Sequence, residues 1–136
     1  ARGGIGPESA AACVRAGAAG VFLDDQLLLA DDVTLPGSIA TRIAKTNVLD
    51  TRAYGVGATS MCRVIAQADM ACVEELSNAL ADGADPSDCL SSCSAKTVAD
   101  WTPETALMPF GQDVAYASRF RAAFGSTAEM IAGMLR

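Results

Sequence analysis

The chain contains no histidine, and this absence limits the chemistry that its side chains can perform. Ser/His/Asp and Cys/His nucleophile systems need an imidazole, and the usual zinc ligand sets also draw on histidine. Acid–base chemistry would therefore fall to carboxylates, tyrosine, lysine or cysteine, or to a histidine supplied by another segment. From the sequence we assign no catalytic residue and expect no metal site.

Basic residues, aromatic residues and long apolar runs are also scarce. The 10 Lys and Arg are outnumbered by 16 Asp and Glu, and they form no basic stripe that would neutralise a nucleic-acid backbone. No apolar run reaches the length that crosses a bilayer, so we expect neither nucleic acid nor a membrane as a partner. Aromatic residues make up 5% of the chain, which favours close packing of small side chains between helices and a sheet.

Cysteine is present, but without the even pairing of a disulfide framework. The five cysteines are scattered, so we expect free thiols in a reducing compartment and a cytoplasmic protein. Cys89 and Cys93 are spaced to lie on one face of a helix. Because no second pair of ligands accompanies them, we interpret them as ordinary thiols rather than as a metal site.

The most informative stretch is 1–29, in which a glycine-rich turn leads into a short helix and then into an apolar segment. Gly3, Gly4 and Gly6 can take positive φ and approach a ligand closely. Pro7 suits the first position of the helix, where no amide donor is needed. The free amides at such a helix start would hold an anion such as a phosphate, and the alternative is a bare glycine turn without a ligand.

The rest of the pattern predicts helices joined by short strands and loops. Strands are predicted at 20–23, as an apolar run buried on both faces of a parallel sheet, and at 61–66. Helices are predicted at 7–16, from a Ser38 cap to about 45, at 68–81, from an Asp113 cap to Phe124, and from a capping box of Ser126 and Glu129 to the end. Residues 82–102 are predicted to form an inserted surface loop. The side chains expected on apolar faces are Ile39, Ile43 and Ala44 in the second helix and Met130, Ile131, Met134 and Leu135 in the last.

Residues 3–29 resemble the last two βα units of the nitronate monooxygenase (2-nitropropane dioxygenase) family of flavin-binding TIM barrels, and their sequence is GGIGPESAAACVRAGAAGVFLDDQLLL. Its LDDQLLL part resembles the domains of this kind that are fused into polyunsaturated fatty acid synthases and type I polyketide synthases. The segment 108–113, MPFGQD, is similar to the Gly-Gln element before the family's closing helices, and 126–136 resembles its C-terminal helix.

The resemblance implies an α/β fold made of the C-terminal βα units of a TIM barrel, with a helical, loop-rich insertion and closing helices. We expect 1–30 to form the last βα units with the phosphate turn, 31–107 the insertion and 108–136 the closing helices. All three would belong to one domain that is incomplete at its N-terminus. The family's first six strands and its catalytic base would lie upstream, so the remaining segments of the same domain or synthase are expected partners.

The resemblance also implies FMN, whose phosphate would be held by backbone amides at the C-terminal face of the barrel. Gly3 and Gly4 match the first phosphate-binding turn of the family, and the amide of Ile5 would extend it. Gln112 would reach the same pocket from the closing segment.

The second phosphate turn departs from the family pattern. Simple nitronate monooxygenases have Gly-Thr where this chain has Asp24 and Asp25. Two carboxylates would repel a phosphate dianion unless they point away or pair with a cation such as Arg2 or Arg63. Asp24 and Asp25 therefore either line the phosphate turn or are plain residues at the end of a strand.

The activity implied by the resemblance is that of an FMN-dependent oxidoreductase, nitronate monooxygenase-like or enoyl-reductase-like, in polyketide or fatty acid biosynthesis. Its substrate would be a small molecule or a carrier-protein-bound chain. The alternative is a flavin-free structural or docking module of a multidomain synthase, which the Asp24 and Asp25 carboxylates favour. A third hypothesis is a freestanding small α/β protein that binds a phosphate-type ligand on its glycine turn.

Overall fold

The computed structural model describes residues 3–55, 61–86, 88–89, 102 and 107–134. Within these ranges the protein combines helices with a small sheet, which agrees with the broad α/β class expected from the sequence. The helices of eight or more residues are α1 (Pro7–Arg15), α2 (Gly37–Lys45), α3 (Ala71–Ala81), α4 (Ala117–Phe124) and α5 (Thr127–Met134). Among the described residues, 3-10 turns lie at Asp25–Leu27, Val48–Asp50 and Gln112–Tyr116. In the part of the chain that is described, no helix is long and apolar enough to cross a membrane.

The sheet consists of two antiparallel strands, β1 (Thr51–Tyr54) and β2 (Cys62–Ile65), within the described residues. Thr51 pairs with Ile65, and Tyr54 pairs with Cys62. On the other side of β2, the Ile65 amide donates to the Met108 carbonyl oxygen at 3.0 Å. The C-terminal segment that begins at residue 107 is therefore tied directly to the middle of the chain.

The main hydrophobic core lies between α2, α3 and β2, and the segment 107–114 closes it. Ile39 and Ile43 point into it from α2, and Val64 and Ile65 from β2, all with almost no exposed surface. A second, smaller cluster lies between α4 and α5. There the Phe120 and Phe124 rings meet edge to face, with 5.9 Å between their centroids, a geometry that aromatic pairs prefer.

Most of the predicted helices are confirmed, together with the strand within 61–66. The reciprocal capping box at the start of α5 is also present: the Ser126 amide donates to Glu129 Oε2 at 3.0 Å, and the Glu129 amide donates to Ser126 Oγ at 3.3 Å. Gly125 ends α4 with φ 79°, in the left-handed region that favours glycine. These signals lie within a few residues of the helix ends that they define.

The strand predicted at 20–23 is wrong. The structure has a single bridge residue there, Phe22, and 54% of that residue is exposed. An apolar run becomes a buried strand only where neighbouring strands supply its backbone hydrogen bonds, and among the described residues only β1 and β2 form a sheet. Leu23 instead packs against the small cluster between α4 and α5, and the segment lines a cavity together with residues of α1 and α5 before it turns into the 3-10 turn Asp25–Leu27.

Two predicted caps and two predicted core positions are also wrong. α2 begins at Gly37, after an N-cap Pro36 that makes no side-chain hydrogen bond, so Ser38 is not its cap. Asp113 lies inside the 3-10 turn Gln112–Tyr116, where its carboxylate bonds to distant parts of the chain. The two core positions, Ala44 and Ile131, face solvent.

Several predictions fall on residues outside the described ranges. These are Leu135, Cys93 and most of the loop predicted at 82–102.

Gly133 in α5 provides a test of the packing between the last two helices. A Cβ atom at this position would overlap the Phe124 ring and lie 2.8 Å from its Cζ atom. Alanine normally stabilises a helix by about 1 kcal/mol relative to glycine, but overpacking costs about 1–3 kcal/mol. We therefore expect Gly133→Ala to lower the free energy of unfolding by about 1 kcal/mol, measured by urea denaturation.

Gly37→Ala is the matched control, because a Cβ atom on Gly37 would meet nothing within 4 Å. This variant should be neutral or slightly stabilising, since Gly37 lies in the first turn of α2. A Gly133→Ala protein as stable as the Gly37→Ala protein would show that the Phe124 ring does not pack against α5.

Candidate functional site

Five of the six residues predicted for the FMN site lie around one open cleft of about 610 Å³. They are Gly3, Gly4, Asp24, Asp25 and Gln112. The other lining residues are Met61, Arg63, Pro109, Gly111 and Asp113. The sixth predicted residue, Ile5, is buried behind the turn and does not line the cleft.

The glycine turn has the backbone geometry that only glycine adopts easily. Gly3 has φ 84° and Gly4 has φ 62°, both in the left-handed region. The start of α1 holds the turn, because Ser9 Oγ accepts from the Gly6 amide at 2.8 Å and donates to the Gly4 carbonyl oxygen at 3.0 Å. The shape of the turn is therefore fixed locally, without a ligand.

The amide of Gly4 donates to the carboxylate of Asp113, with 2.6 Å from its nitrogen to Oδ1. This is one of the three amides, with those of Gly3 and Ile5, to which the resemblance assigns a phosphate. Asp113 is only 8% exposed, and its other oxygen, Oδ2, accepts from Gln26 Nε2 at 3.0 Å. A buried carboxylate is stable when donors surround it, and here one donor is the predicted phosphate turn itself.

Gln26 connects the turn, the segment after residue 23 and the closing segment. It is fully buried, and its Nε2 atom lies 3.3 Å from the Ile5 carbonyl oxygen as well as near Asp113. Its Oε1 atom accepts from the Asp24 amide at 2.8 Å. Gln26 is not among the site residues predicted from the sequence, although an amide directly before three leucines signals a buried polar group that needs partners.

Asp25 makes the opposite connection across the cleft. Its Oδ2 atom accepts a hydrogen bond from the Gly111 amide, and a Cβ atom at Gly111 would lie 3.0 Å from that oxygen. Glycine at this position therefore allows the close approach of the carboxylate to the backbone. The closing segment is therefore bonded to both other segments, to 24–27 through Asp25 and to the glycine turn through Asp113.

The arginine on the cleft wall is engaged by β1. Arg63 Nη1 lies 3.1 Å from Thr51 Oγ1 and 3.3 Å from the Thr51 carbonyl oxygen. Arg2, the other cation considered for the Asp24 and Asp25 carboxylates, lies outside the described residues. Arg63 therefore connects β2 to β1 through its side chain.

This donor set does not suit a phosphate dianion. The amides of Gly4 and Gly111 already donate to carboxylates, and Asp24 is a third carboxylate on the same cleft. Two like charges 4 Å apart repel by about 4 kcal/mol at the effective dielectric constant near a protein surface, so each carboxylate weakens anion binding. A phosphate would have to displace Asp113 before it reached the Gly4 amide.

The cysteines form no metal centre among the described residues, where no group of three His, Cys, Asp or Glu side chains is arranged to hold an ion. Burial raises the pKa of the Cys62 thiol, and the nearby Cys89 raises it further. Cys62 is therefore a thiol at neutral pH and a poor nucleophile. Cys89 is half-buried.

In the cleft, the protein's own carboxylates thus accept from two backbone amides, those of Gly4 and Gly111. No protein-family model matches the chain, and no curated protein matches it.

Proposed function

We propose that this chain is a flavin-free structural or docking module of a multidomain synthase. One observation carries the proposal: the Gly4 amide, one of the three that the resemblance assigns to the FMN phosphate, donates to the buried Asp113 carboxylate at 2.6 Å. The placement in a synthase rests on the resemblance of GGIGPESAAACVRAGAAGVFLDDQLLL and MPFGQD to domains of such proteins.

The energetics of the cleft support the flavin-free form. Asp113 loses its hydrogen bond to Gly4 if a phosphate takes the amide, and it remains a buried charge near a dianion. Leaving a buried charged group short of a partner costs more than the roughly 1–3 kcal/mol of a neutral group. Phosphate binding would have to offset this cost as well as the repulsion from Asp24 and Asp25.

The same contacts suit a structural role. Asp113 joins the closing segment to the glycine turn, Gln26 joins the turn to the segment 24–27, and Asp25 joins that segment to the closing segment, each by a side-chain hydrogen bond to the backbone. Such bonds fix the relative positions of segments that lie far apart in the sequence. In this function the module would position neighbouring domains and their carrier-bound chains, and the chemistry would take place elsewhere.

A visible spectrum and an FMN titration of the full chain test this proposal. We expect a colourless protein that leaves the fluorescence of added FMN unchanged up to millimolar protein, because the Gly4 and Gly111 amides already donate to carboxylates. A yellow protein, or saturable micromolar FMN binding, would overturn the proposal. In that case Gly4→Val should weaken flavin binding, since valine is strained at φ 62°.

The second candidate function is the FMN-dependent oxidoreductase implied by the resemblance. The observation that favours it is the shared cleft, because Gly3, Gly4, Asp24, Asp25 and Gln112 surround one space. In this function the amides of the glycine turn would hold the phosphate, and the rest of a barrel would come from further segments. FMN would accept or donate a hydride equivalent, whereas this chain would contribute binding and orientation.

A further inference from the structure

We propose that the segment 20–23 is an open strand edge through which two copies of this chain pair, antiparallel and centred on Phe22. The occupant of the edge is a second copy of the same chain, held by backbone hydrogen bonds and by apolar side chains. The inference goes beyond the proposed function and does not rest on it, because none of the residues 20–23 lines the cleft.

The first observation is that backbone partners alternate along this segment. Gly20 and Phe22 both have interaction partners, and Phe22 is a bridge residue. Val21 and Leu23 follow them in turn, and neither forms a hydrogen bond in the described part of the chain. Successive residues of a strand direct their amide and carbonyl groups to opposite sides. The segment therefore has one paired side and one open side, and Val21 and Leu23 present the open side.

The second observation is the apolar surface beside this segment. Residues 19–23 line a cavity of about 550 Å³ together with side chains of α1 and α5, and none of the described residues that line it has a polar side chain. Around this cavity, Val14 and Phe22 are each 54% exposed and Ile131 is 48% exposed. Large apolar side chains that are gathered on one surface and half exposed indicate an interaction site.

The third observation is that the sequence does not protect this edge. Soluble proteins guard an open strand edge with lysine, proline or a bulge, because its unpaired amide and carbonyl groups attract another strand. The segment 16–23, AGAAGVFL, contains no charged residue and no proline. Two copies of it can therefore approach each other without bringing like charges together.

The positions of the open residues favour a second copy of this chain as the partner. Val21 and Leu23 lie on either side of Phe22, so an antiparallel copy places each of them opposite the other residue type. Each such pair exchanges two backbone hydrogen bonds, and the two Phe22 rings meet between them, where cross-strand side chains are closest. The pairing is isologous and ends at the dimer, because the other side of each segment is occupied.

The dimer is expected to be weak, because the contact is small. A pair of four-residue strands buries less than the roughly 800 Å² per partner of a standard stable interface. We therefore expect monomers at micromolar concentration and dimers at millimolar concentration.

Sedimentation equilibrium of the full chain over this range tests the proposal. A salt concentration of about 0.15 M screens the repulsion between chains of net charge −6. The mass should rise from 13.9 kDa to twice that value. Phe22→Lys and Phe22→Glu should each weaken the dimer at least tenfold, because like charges then face each other across the two-fold axis. An equimolar mixture of the two variants should restore the dimer, since lysine then faces glutamate.

Leu49→Lys is the matched control. Leu49 is 93% exposed, belongs to the 3-10 turn Val48–Asp50 and does not line the cavity, so this variant should form dimers as the wild type does. Amide hydrogen exchange of the wild type gives a second measurement that needs no variant to fold. The Val21 and Leu23 amides should exchange at least threefold more slowly at millimolar than at micromolar concentration.

Any of four results would overturn the proposal: a wild type that stays monomeric at millimolar concentration, a Phe22→Lys variant that pairs as tightly as the wild type, a mixture of the two charged variants that stays monomeric, or equal weakening by Leu49→Lys. If the Phe22 variants do not fold, unchanged exchange of the Val21 and Leu23 amides overturns it instead. FMN binding by the wild type would overturn the flavin-free function alone, because it does not involve this edge.

Discussion

Gln26→Leu is expected to lower the free energy of unfolding by about 3–4 kcal/mol. Leucine is close to glutamine in volume, so the substitution leaves no large cavity, but it removes every hydrogen bond of a fully buried amide. The Ile5 carbonyl, the Asp24 amide and the Asp113 carboxylate each lose a partner, and each buried group left unsatisfied costs about 1–3 kcal/mol. Urea denaturation followed by circular dichroism measures the loss.

Gln112→Leu is the matched control, because Gln112 is exposed on the rim of the same cleft. The same chemical change there should alter the stability by less than about 0.5 kcal/mol. If the two variants were equally stable, the connection that Gln26 makes between the three segments would contribute nothing to folding.

Ile39→Ala is expected to be similarly severe, with a loss of about 3 kcal/mol. Ile39 has no exposed surface and lies in the main core between α2 and β2. Truncation of a buried isoleucine to alanine removes apolar contacts and leaves a cavity, and such changes cost about 2–5 kcal/mol. The loss is read from the shift in the urea midpoint at an unchanged slope.

Ile131→Ala makes the same change on a helix whose apolar stripe is expected, from the sequence, to face the core. Ile131 is 48% exposed in α5, so its truncation should cost less than about 1 kcal/mol. A cost close to that of Ile39→Ala would mean that Ile131 is covered in the folded protein, contrary to the structure.

The features that could be predicted are those whose cause lies within one helical turn of the residue. Pro7 at the start of α1, the capping box of Ser126 and Glu129, and the left-handed Gly125 after α4 are local signals, and the structure contains all three. The four-residue spacing of Ile39 and Ile43 places both on one face of α2 and correctly predicts that they are buried.

The features that could not be predicted depend on partners that are distant in the sequence. Asp113 is a residue type that often caps helices and it precedes α4, but its carboxylate accepts hydrogen bonds from Gly4 and Gln26 instead. The apolar run at 20–23 fits a buried strand, but its four residues do not show whether other segments pair with it. For the site, the sequence singled out residues that share a cleft, whereas the bonds that close the cleft are visible only in three dimensions.

The long span of the Asp113 contacts also sets an order of events during synthesis. Gly4 and Asp113 are 109 residues apart, and Gln26 and Asp113 are 87 residues apart. At a ribosomal rate of about 5–20 residues per second, Gly4 precedes Asp113 by roughly 5 to 22 s. Throughout this interval the Gly4 amide lacks its Asp113 partner. We therefore expect the N-terminal third to remain open to proteases and chaperones until the segment 107–113 has left the ribosome.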